Sequence, residues 1–515
     1  MPSSRGKNRL TSASALVLGV LLALGMGPVA SAHAGIGHHF TGTYVEIAAD
    51  ARHGEATQSF LDSAGHWYRL HIPSGAQPKP QSRVSVDGTL KGNRIDARSL
   101  TVTAAAPALP AVGSRSLLVI LVRWGTSTLG TNRTKATDFL FGADGRSLTN
   151  WYGDVSYGQI SWTGDVTPAL SIADPGSCNY SAIASSAESA ATAAGYSLTA
   201  YTNRMIDFPK GYCSSDGYGQ IGGPRSWIQD QLFNLGNGYQ RYTPAHELGH
   251  NLGLYHAHGI ECGPVTISQT CLSKSISNEE YGSSFDPMGN NWPGDGHDAV
   301  PGFSVKEMIQ LGWFAGRLTT TYTSGTFDIA PIELQSATDS QGLEIGTAQR
   351  NYFVEYRRPL GQDSFLTSYP EATNGVTVSM RDDLPGGDQG PLALDLSPGS
   401  DNTCAYCDWY DASLDSGQSY VDVDGVFRLK ANSVSASGAN VTVSFMADSS
   451  PPTFTKTPTP SFVSAIEPTI VPVKIGWAAS DPSGVCSYEV NESAAGGPWA
   501  PVPLVSASAV SMIRP

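Results

Sequence analysis

His246-Glu247-Leu248-Gly249-His250-Asn251-Leu252-Gly253-Leu254-Tyr255-His256 is the stretch on which the reading of this 515-residue chain turns. Its first two histidines stand four residues apart, so on a helix both imidazoles leave one face. Thr243 and Pro244, just ahead, suit a cap and a first-turn residue. Gly253 can take a left-handed conformation, end the helix and swing the chain back, so that His256 reaches the same point. Three neutral imidazoles on one zinc ion leave the fourth tetrahedral position to water, as in catalytic rather than structural sites. Glu247 is not needed as a ligand. It can take a proton from that water, whose acidity zinc raises into the neutral range, and return it to a leaving amine. Leu248 and Leu252 are expected in the core. A core helix with satisfied histidines is the bland alternative, and it explains neither the glutamate nor the glycine.

Outward from this motif, Leu117 to Val122 is an unbroken apolar run suited to a strand buried on both faces. Tyr152 to Val166 reads as a hairpin, Ser181 to Ala194 as a helix stopped by Gly195, and Met205 to Phe208 as another core strand. Strand, helix and strand in this order predict an α/β sandwich, placed at residues 113–318. Before it, residues 33–112 hold five short alternating runs and an Ala/Pro linker, which predict a small OB-like barrel serving as a pro- or accessory domain. After it, residues 319–448 lose the helical signal and read as a β-sandwich. A Pro/Thr linker is placed at 449–460, and a partial immunoglobulin- or fibronectin-like module at 461–515.

Residues 1–32 read as a signal peptide, with Arg5, Lys7 and Arg9 before an apolar stretch and Ala30-Ser31-Ala32 after it. Secretion and no membrane contact after signal removal are therefore expected. Seven cysteines lie downstream, and the sequence-local pairs Cys178–Cys213, Cys262–Cys271 and Cys404–Cys407 are expected, leaving Cys486 odd. A formal net charge of −14 argues against a nucleic-acid partner. Asp422-Val423-Asp424-Gly425 has part of an acidic calcium loop, but Ser433 stands where the bidentate glutamate belongs, so a β-turn is the better reading and Ca2+ lacks support.

The zinc motif resembles the extended signature of the metzincin metallopeptidases. Asp286-Pro287-Met288-Gly289 is similar to the methionine turn of the gametolysin branch in its secreted bacterial form. The resemblance implies a metzincin-type α/β catalytic domain, a twisted and mostly parallel sheet with the zinc-site helix, flanked by all-β modules. It implies zinc on His246, His250 and His256, Glu247 as catalytic base, and Met288 as an apolar floor under the imidazoles. It also implies a helix after the turn, which Ser304-Val305-Lys306-Glu307 would open and Gly312 would stop. Tyr218 to Gly223 precedes the zinc helix where this family places its substrate-binding edge strand, which makes Gly222 and Gly223 candidate substrate contacts. Asn290 stands where some relatives carry a metal-binding tyrosine. No cysteine precedes Cys178, so latency through a propeptide thiolate is excluded; His38 and His39 are the other conceivable caps.

The expected activity is hydrolysis of peptide bonds in extracellular or cell-wall proteins by a secreted zinc metalloendopeptidase. An adhesion or binding protein is the alternative, with β-modules touching glycan or cell wall and zinc as a staple. A hydrolase for another amide is the third reading.

Overall fold

The computed structural model describes residues 38–49, 57–73, 77–107, 110–145, 147–230, 232–234, 238–260, 262–272, 280–290, 299–381, 390–400, 409–446, 452–462 and 473–480, and parts of 488–514. Residues 1–32, expected to be a signal peptide, and Cys404, Cys407 and Cys486 lie outside the described residues. Backbone packing divides the chain into two compact units, one over Ile36–Asp448 and one that includes Ser449–Pro515.

The larger unit begins with β1 (His38–Ala49), β2 (Gln58–Ser63), β3 (His66–His71), β4 (Arg83–Lys91) and β5 (Arg94–Ala104). These pair in the order β1-β2-β3-β5-β4 and return to β1, closing a five-stranded barrel. Tyr44, Leu61, Leu70, Val84, Val86 and Ile95 fill it, each at an inward position of the strand alternation.

β6 (Gly113–Arg123) supplies the central strand, and every residue from Leu117 to Val122 is fully buried. Its odd positions face one apolar cluster and its even positions another. The following helices α1 (Arg133–Phe141) and α2 (Leu148–Val155) pack with the first cluster. β7 (Ile160–Val166) runs parallel to β6, so Tyr152–Val166 is helix end and strand rather than the expected hairpin. Leu148, Trp151, Tyr152 and Val155 have helical spacing, and Ser147 caps them by accepting from the Asn150 N–H, which outweighs the alternation. β8 (Leu170–Ser171) extends the parallel pairing, and α3 (Tyr180–Ala193) covers the other face.

β9 (Asn203–Asp207), β10 (Gly217–Gln220) and β11 (Arg225–Ile228) complete this sheet. β9 is parallel to β6 and to β11, but β10 runs antiparallel to β11 and, on its other side, to the end of β1. Barrel and central sheet are thus one continuous 11-stranded sheet. This overturns the expectation of a metzincin-type α/β domain on its own twisted, mostly parallel sheet. Among the described residues strand accounts for 40% and helix for 18%. The physical reason is that antiparallel β-modules share sheet edges with the middle of the chain instead of standing apart from it.

A short hairpin, β12 (Phe233–Asn234) with β13 (Gly238–Tyr239), leads into α4 (Tyr242–Asn251) and β14 (His258–Ile260). The one-turn α5 (Gln269–Leu272) is tied by Cys262–Cys271, and Cys178–Cys213 pins the loop before α3; both disulfides match the expected pairs. α6 (Val305–Leu311) ends at Gly312 in the left-handed conformation, as its sequence predicts.

Two further sheets share one core after α6. The first joins β15 (Leu318–Thr321), β17 (Gly342–Gly346), β18 (Asn351–Glu355), β19 (Gly375–Arg381), β20 (Pro391–Leu394) and β21 (Leu414–Asp415). The second joins β16 (Gly325–Ile329), β22 (Ser419–Val421), β23 (Phe427–Val434) and β24 (Ala439–Phe445). β14, two residues beyond His256, adds parallel to β20, so the first sheet reaches the metal motif. In the Asp422 loop the Gly425 N–H reaches the Asp422 carbonyl at 2.9 Å, while the Asp422 carboxylate accepts from the N–H groups of Asp424, Val426 and Phe427. That is a turn.

In the second unit Thr453–Phe462, within and just beyond the Pro/Thr stretch, forms a strand antiparallel to Val473–Ser480, which also pairs with Ser511–Arg514.

Candidate active site

α4 starts at Tyr242 without a side-chain cap, so Thr243 sits inside its first turn rather than capping it, while Pro244 occupies that turn as expected. The helix closes over Gly249 to Gly253: the Gly253 N–H meets the His250 carbonyl at 2.9 Å and the Leu254 N–H meets the Gly249 carbonyl at 3.2 Å. Gly253 takes φ +98°, a conformation an L-residue adopts only at a cost of about 1–2 kcal/mol. The chain therefore doubles back at once, and His256 faces the rings of His246 and His250 at 5.2 and 4.9 Å between centroids.

One nitrogen from each of these three rings lies within 4.8 Å of the others. The Nδ1 atoms are already engaged: His246 with the Pro287 carbonyl at 2.9 Å, His250 with the Leu254 carbonyl at 2.9 Å, and His256 with Glu280 Oε1 at 2.8 Å. An Nδ1–H given to oxygen fixes the tautomer and leaves the Nε2 lone pair for a metal. For His250 the Nε2 is buried and accepts no hydrogen bond. Burial, and then the neighbouring His246 and His256, hold its pKa well below the usual histidine range, so the ring is neutral as a ligand must be. The donor set fits a single divalent ion of the zinc type.

Further residues position this triad, and of these Glu280 carries no sequence signal of its own. Glu280 orients His256, and Pro287 orients His246 through a backbone carbonyl that any residue could supply. Asp286, fully buried, accepts from the Met288 N–H through one oxygen and from the Ser304 N–H through the other, each at 2.8 Å, and so shapes the turn and the approach to α6. Met288 lies buried against α4, where a Cβ on Gly249 would collide with its sulfur. The glycine between the two helical histidines is what lets the methionine approach. Removing the Glu280 carboxylate should loosen the site measurably. Glu280→Ala is expected to lower zinc affinity about 10- to 100-fold in a chelator competition, with little change in unfolding temperature.

Glu247 is fully buried beside the triad. Its carboxylate faces β10: a Cβ on Gly217 would collide with one oxygen, and a Cβ on Gly219 would come within 2.8 Å of the other and 2.6 Å of the His250 Cβ. The strand can lie this close only because both inward positions are glycine. Gly222 and Gly223, the sequence candidates for substrate contact, sit in the turn after β10 instead. The Gly222 N–H meets the His250 carbonyl at 2.8 Å and so caps the end of α4, and the Gly223 N–H returns to Gln220 at 3.1 Å. His38 and His39 lie exposed at the far end of β1, opposite Gly88 and Asp87, and do not approach the triad. His258 leads β14.

Comparison with known proteins fits this geometry. No curated protein matches the chain significantly. A chain from a solved structure described as a chaperone-substrate complex aligns with 45% of this chain and 36% of its own length, at 14% identity and a TM-score of 0.21. That likeness supports no statement about fold or function. This chain thus spans little more than a third of that protein's length. The profile of the gametolysin peptidase M11 family, by contrast, matches residues 116–378, just over half of the sequence. The match contains the whole histidine motif, the Asp286–Gly289 turn and the strands through most of β19, and by it the chain belongs to the gametolysin peptidase M11 family.

Proposed function

We propose that the protein is a secreted zinc endopeptidase that hydrolyses internal peptide bonds of extracellular or cell-wall proteins. The observation that carries this reading is the convergence of the three imidazoles beside a buried glutamate, where α4 packs directly on β10. His246, His250 and His256 hold the metal, and Met288 packs beneath them. A zinc ion bound there supplies Lewis-acid chemistry, acidifying a water and polarising the scissile carbonyl. Glu247 accepts the proton of the attacking water and delivers it to the departing amine. Its burial against β10 keeps the carboxylate in one orientation, which general-base catalysis requires. The β10 edge that β1 covers carries the backbone groups an extended peptide would pair with, so that chain direction rather than a deep pocket aligns the substrate.

Export is inferred from the signal-like residues 1–32 together with two disulfides, which persist in oxidising compartments. Among the described residues no helix is long and apolar enough to cross a membrane. A structural zinc site, the feature of the adhesion reading, would need a fourth protein ligand. Among the described residues the group holds three.

The direct test is metal removal. Casein hydrolysis should fall to background after dialysis against o-phenanthroline and return on adding one equivalent of zinc, with activity tracking bound metal. Hydrolysis that persists in protein stripped of metal would overturn the proposal.

A further inference from the structure

Outside the triad, the largest unexplained feature of the site is what lies along β10. Of the two edges of β10, whose glycines lie against Glu247 and His250, one is taken by β11 and the other faces the N-terminal barrel. That edge is occupied. Ile47, Ala48 and Ala49 of β1 stand antiparallel opposite Gln220, Gly219 and Tyr218, and the Ile221 N–H reaches the Glu46 carbonyl at 3.0 Å.

We propose that the N-terminal barrel is a built-in latch, in which residues 46–49 of β1 hold the strand edge that an extended peptide substrate must use. The proposal rests on the endopeptidase reading of the site and adds its regulation.

Three observations support it. The first concerns which strand pairs with which. β1 pairs with β4 through Thr43 and with β2 through Ile47, whereas Ala48 and Ala49 pair with β10 only. The barrel closes without them, and they extend past it into the site. Second, two side chains next to the metal triad clamp this extension. Tyr255, adjacent to His256, donates to Glu46 Oε2 at 2.6 Å, and Tyr281, whose ring lies 4.4 Å from that of His256, donates to the Ala49 carbonyl at 2.9 Å. Third, with β1 in place the histidines and Glu247 are sealed from solvent, none more than 2% exposed. Val45, Ile47 and Ala49 meanwhile face the apolar cluster that contains Trp67, Tyr218 and Trp227, so the latch is seated by burial as well as by hydrogen bonds. A peptide adding to β10 makes the same main-chain bonds as β1. The two cannot be present together.

The test uses the full chain. Ala48→Pro removes a ladder N–H and crowds the pairing with β10 while leaving the barrel pairs untouched. The probe is a fluorescent peptide copying residues 43–49, Thr-Tyr-Val-Glu-Ile-Ala-Ala, and its binding is read by anisotropy in a Glu247→Gln background so that turnover plays no part. With Glu247 intact, hydrolysis of a quenched peptide substrate is read in parallel. Binding and hydrolysis are both expected to rise at least tenfold in Ala48→Pro over the unmodified chain. Equal probe binding in the two proteins overturns the latch, whatever their activity. Increased binding with no hydrolysis in either zinc-loaded protein upholds the latch and overturns the endopeptidase reading. If Ala48→Pro does not fold, a chain carrying a site-specific protease sequence after Ala105, folded intact and then cut, gives the same readouts. The freed barrel added back must then suppress both.

Discussion

Glu247→Gln should abolish peptide hydrolysis while leaving one zinc bound per chain. The amide keeps the volume and most hydrogen-bonding capacity of the carboxylate, so the helix and the triad are not disturbed. It cannot accept a proton from water, and the expected loss in kcat is about 100- to 10,000-fold, the usual share of a positioned general base. KM should change little, because the side chain contributes to the reacting atoms rather than to substrate docking. Glu247→Asp is a sharper probe of geometry. Its carboxyl is set back by one methylene between β10 and the triad, so turnover should be low but detectable. The walls there are backbone, at Gly217 and Gly219, and they will not follow a shortened side chain inward. Casein digestion at the normal rate by Glu247→Gln, with metal content measured on the same sample, would remove Glu247 from the mechanism.

The parts of this site that the sequence discloses are those fixed by local geometry. Four-residue spacing places His246 and His250 on one helix face whatever surrounds them, and a glycine at 253 predicts the left-handed turn that brings His256 round. The two observed disulfides join cysteines that are neighbours in sequence, and the helix from Val305 to Leu311 stops at a glycine. What the sequence conceals depends on contacts made across long loops. β1 and β10 are about 170 residues apart, and nothing in Glu46-Ile47-Ala48-Ala49 distinguishes a strand end that stays in the barrel from one that invades a neighbouring sheet. That merger is also why the expected α/β sheet was not found as a separate body. The Gly-rich stretch before α4 reads as the strand facing substrate, but periodicity does not say which glycines face the carboxylate. Gly217 and Gly219 alternate inward on β10, while Gly222 and Gly223 have passed into its turn. Oxygen partners such as Glu280 and the Pro287 carbonyl are invisible for another reason. Orienting an imidazole needs only an acceptor, and acceptors are everywhere in a sequence.

Arg357→Met should be the most destabilising single change outside the triad, by about 3–5 kcal/mol, the usual cost of breaking a buried ion cluster from one side. Arg357 is fully buried just past the end of β18. Its guanidinium donates to Glu355 Oε1 at 2.8 Å, to Asp363 Oδ2 at 2.7 Å and to the Phe303 carbonyl at 3.2 Å. Burial lowers its pKa, but Glu355, Asp363 and Glu333 together more than reverse this and push it above its ordinary value. Burial, and then Asp363, raise Glu333 well above the usual carboxyl range. The two charged acids have a second task. Glu355 accepts from the Val305 N–H at 2.7 Å and Asp363 from the Gly302 N–H at 2.9 Å, so the cluster grips the backbone from Gly302 to Val305 that links the Met288 turn to α6. Phe303 on this run packs against Tyr152, whose hydroxyl donates at 2.7 Å to the Ala245 carbonyl on the zinc helix. Methionine fills the space of the arginine stem but leaves two carboxylates buried with their counter-charge gone. Urea unfolding should therefore show a lower midpoint, and zinc affinity should fall as the floor of the site loosens. Neutralising the acids as well, in Arg357→Met/Glu355→Gln/Asp363→Asn, should recover much of the loss, because amides still accept from Val305 and Gly302. A penalty below about 1 kcal/mol for Arg357→Met alone, within the range of exposed ion pairs, would show that packing and not this cluster joins the β-sandwich to the metal site.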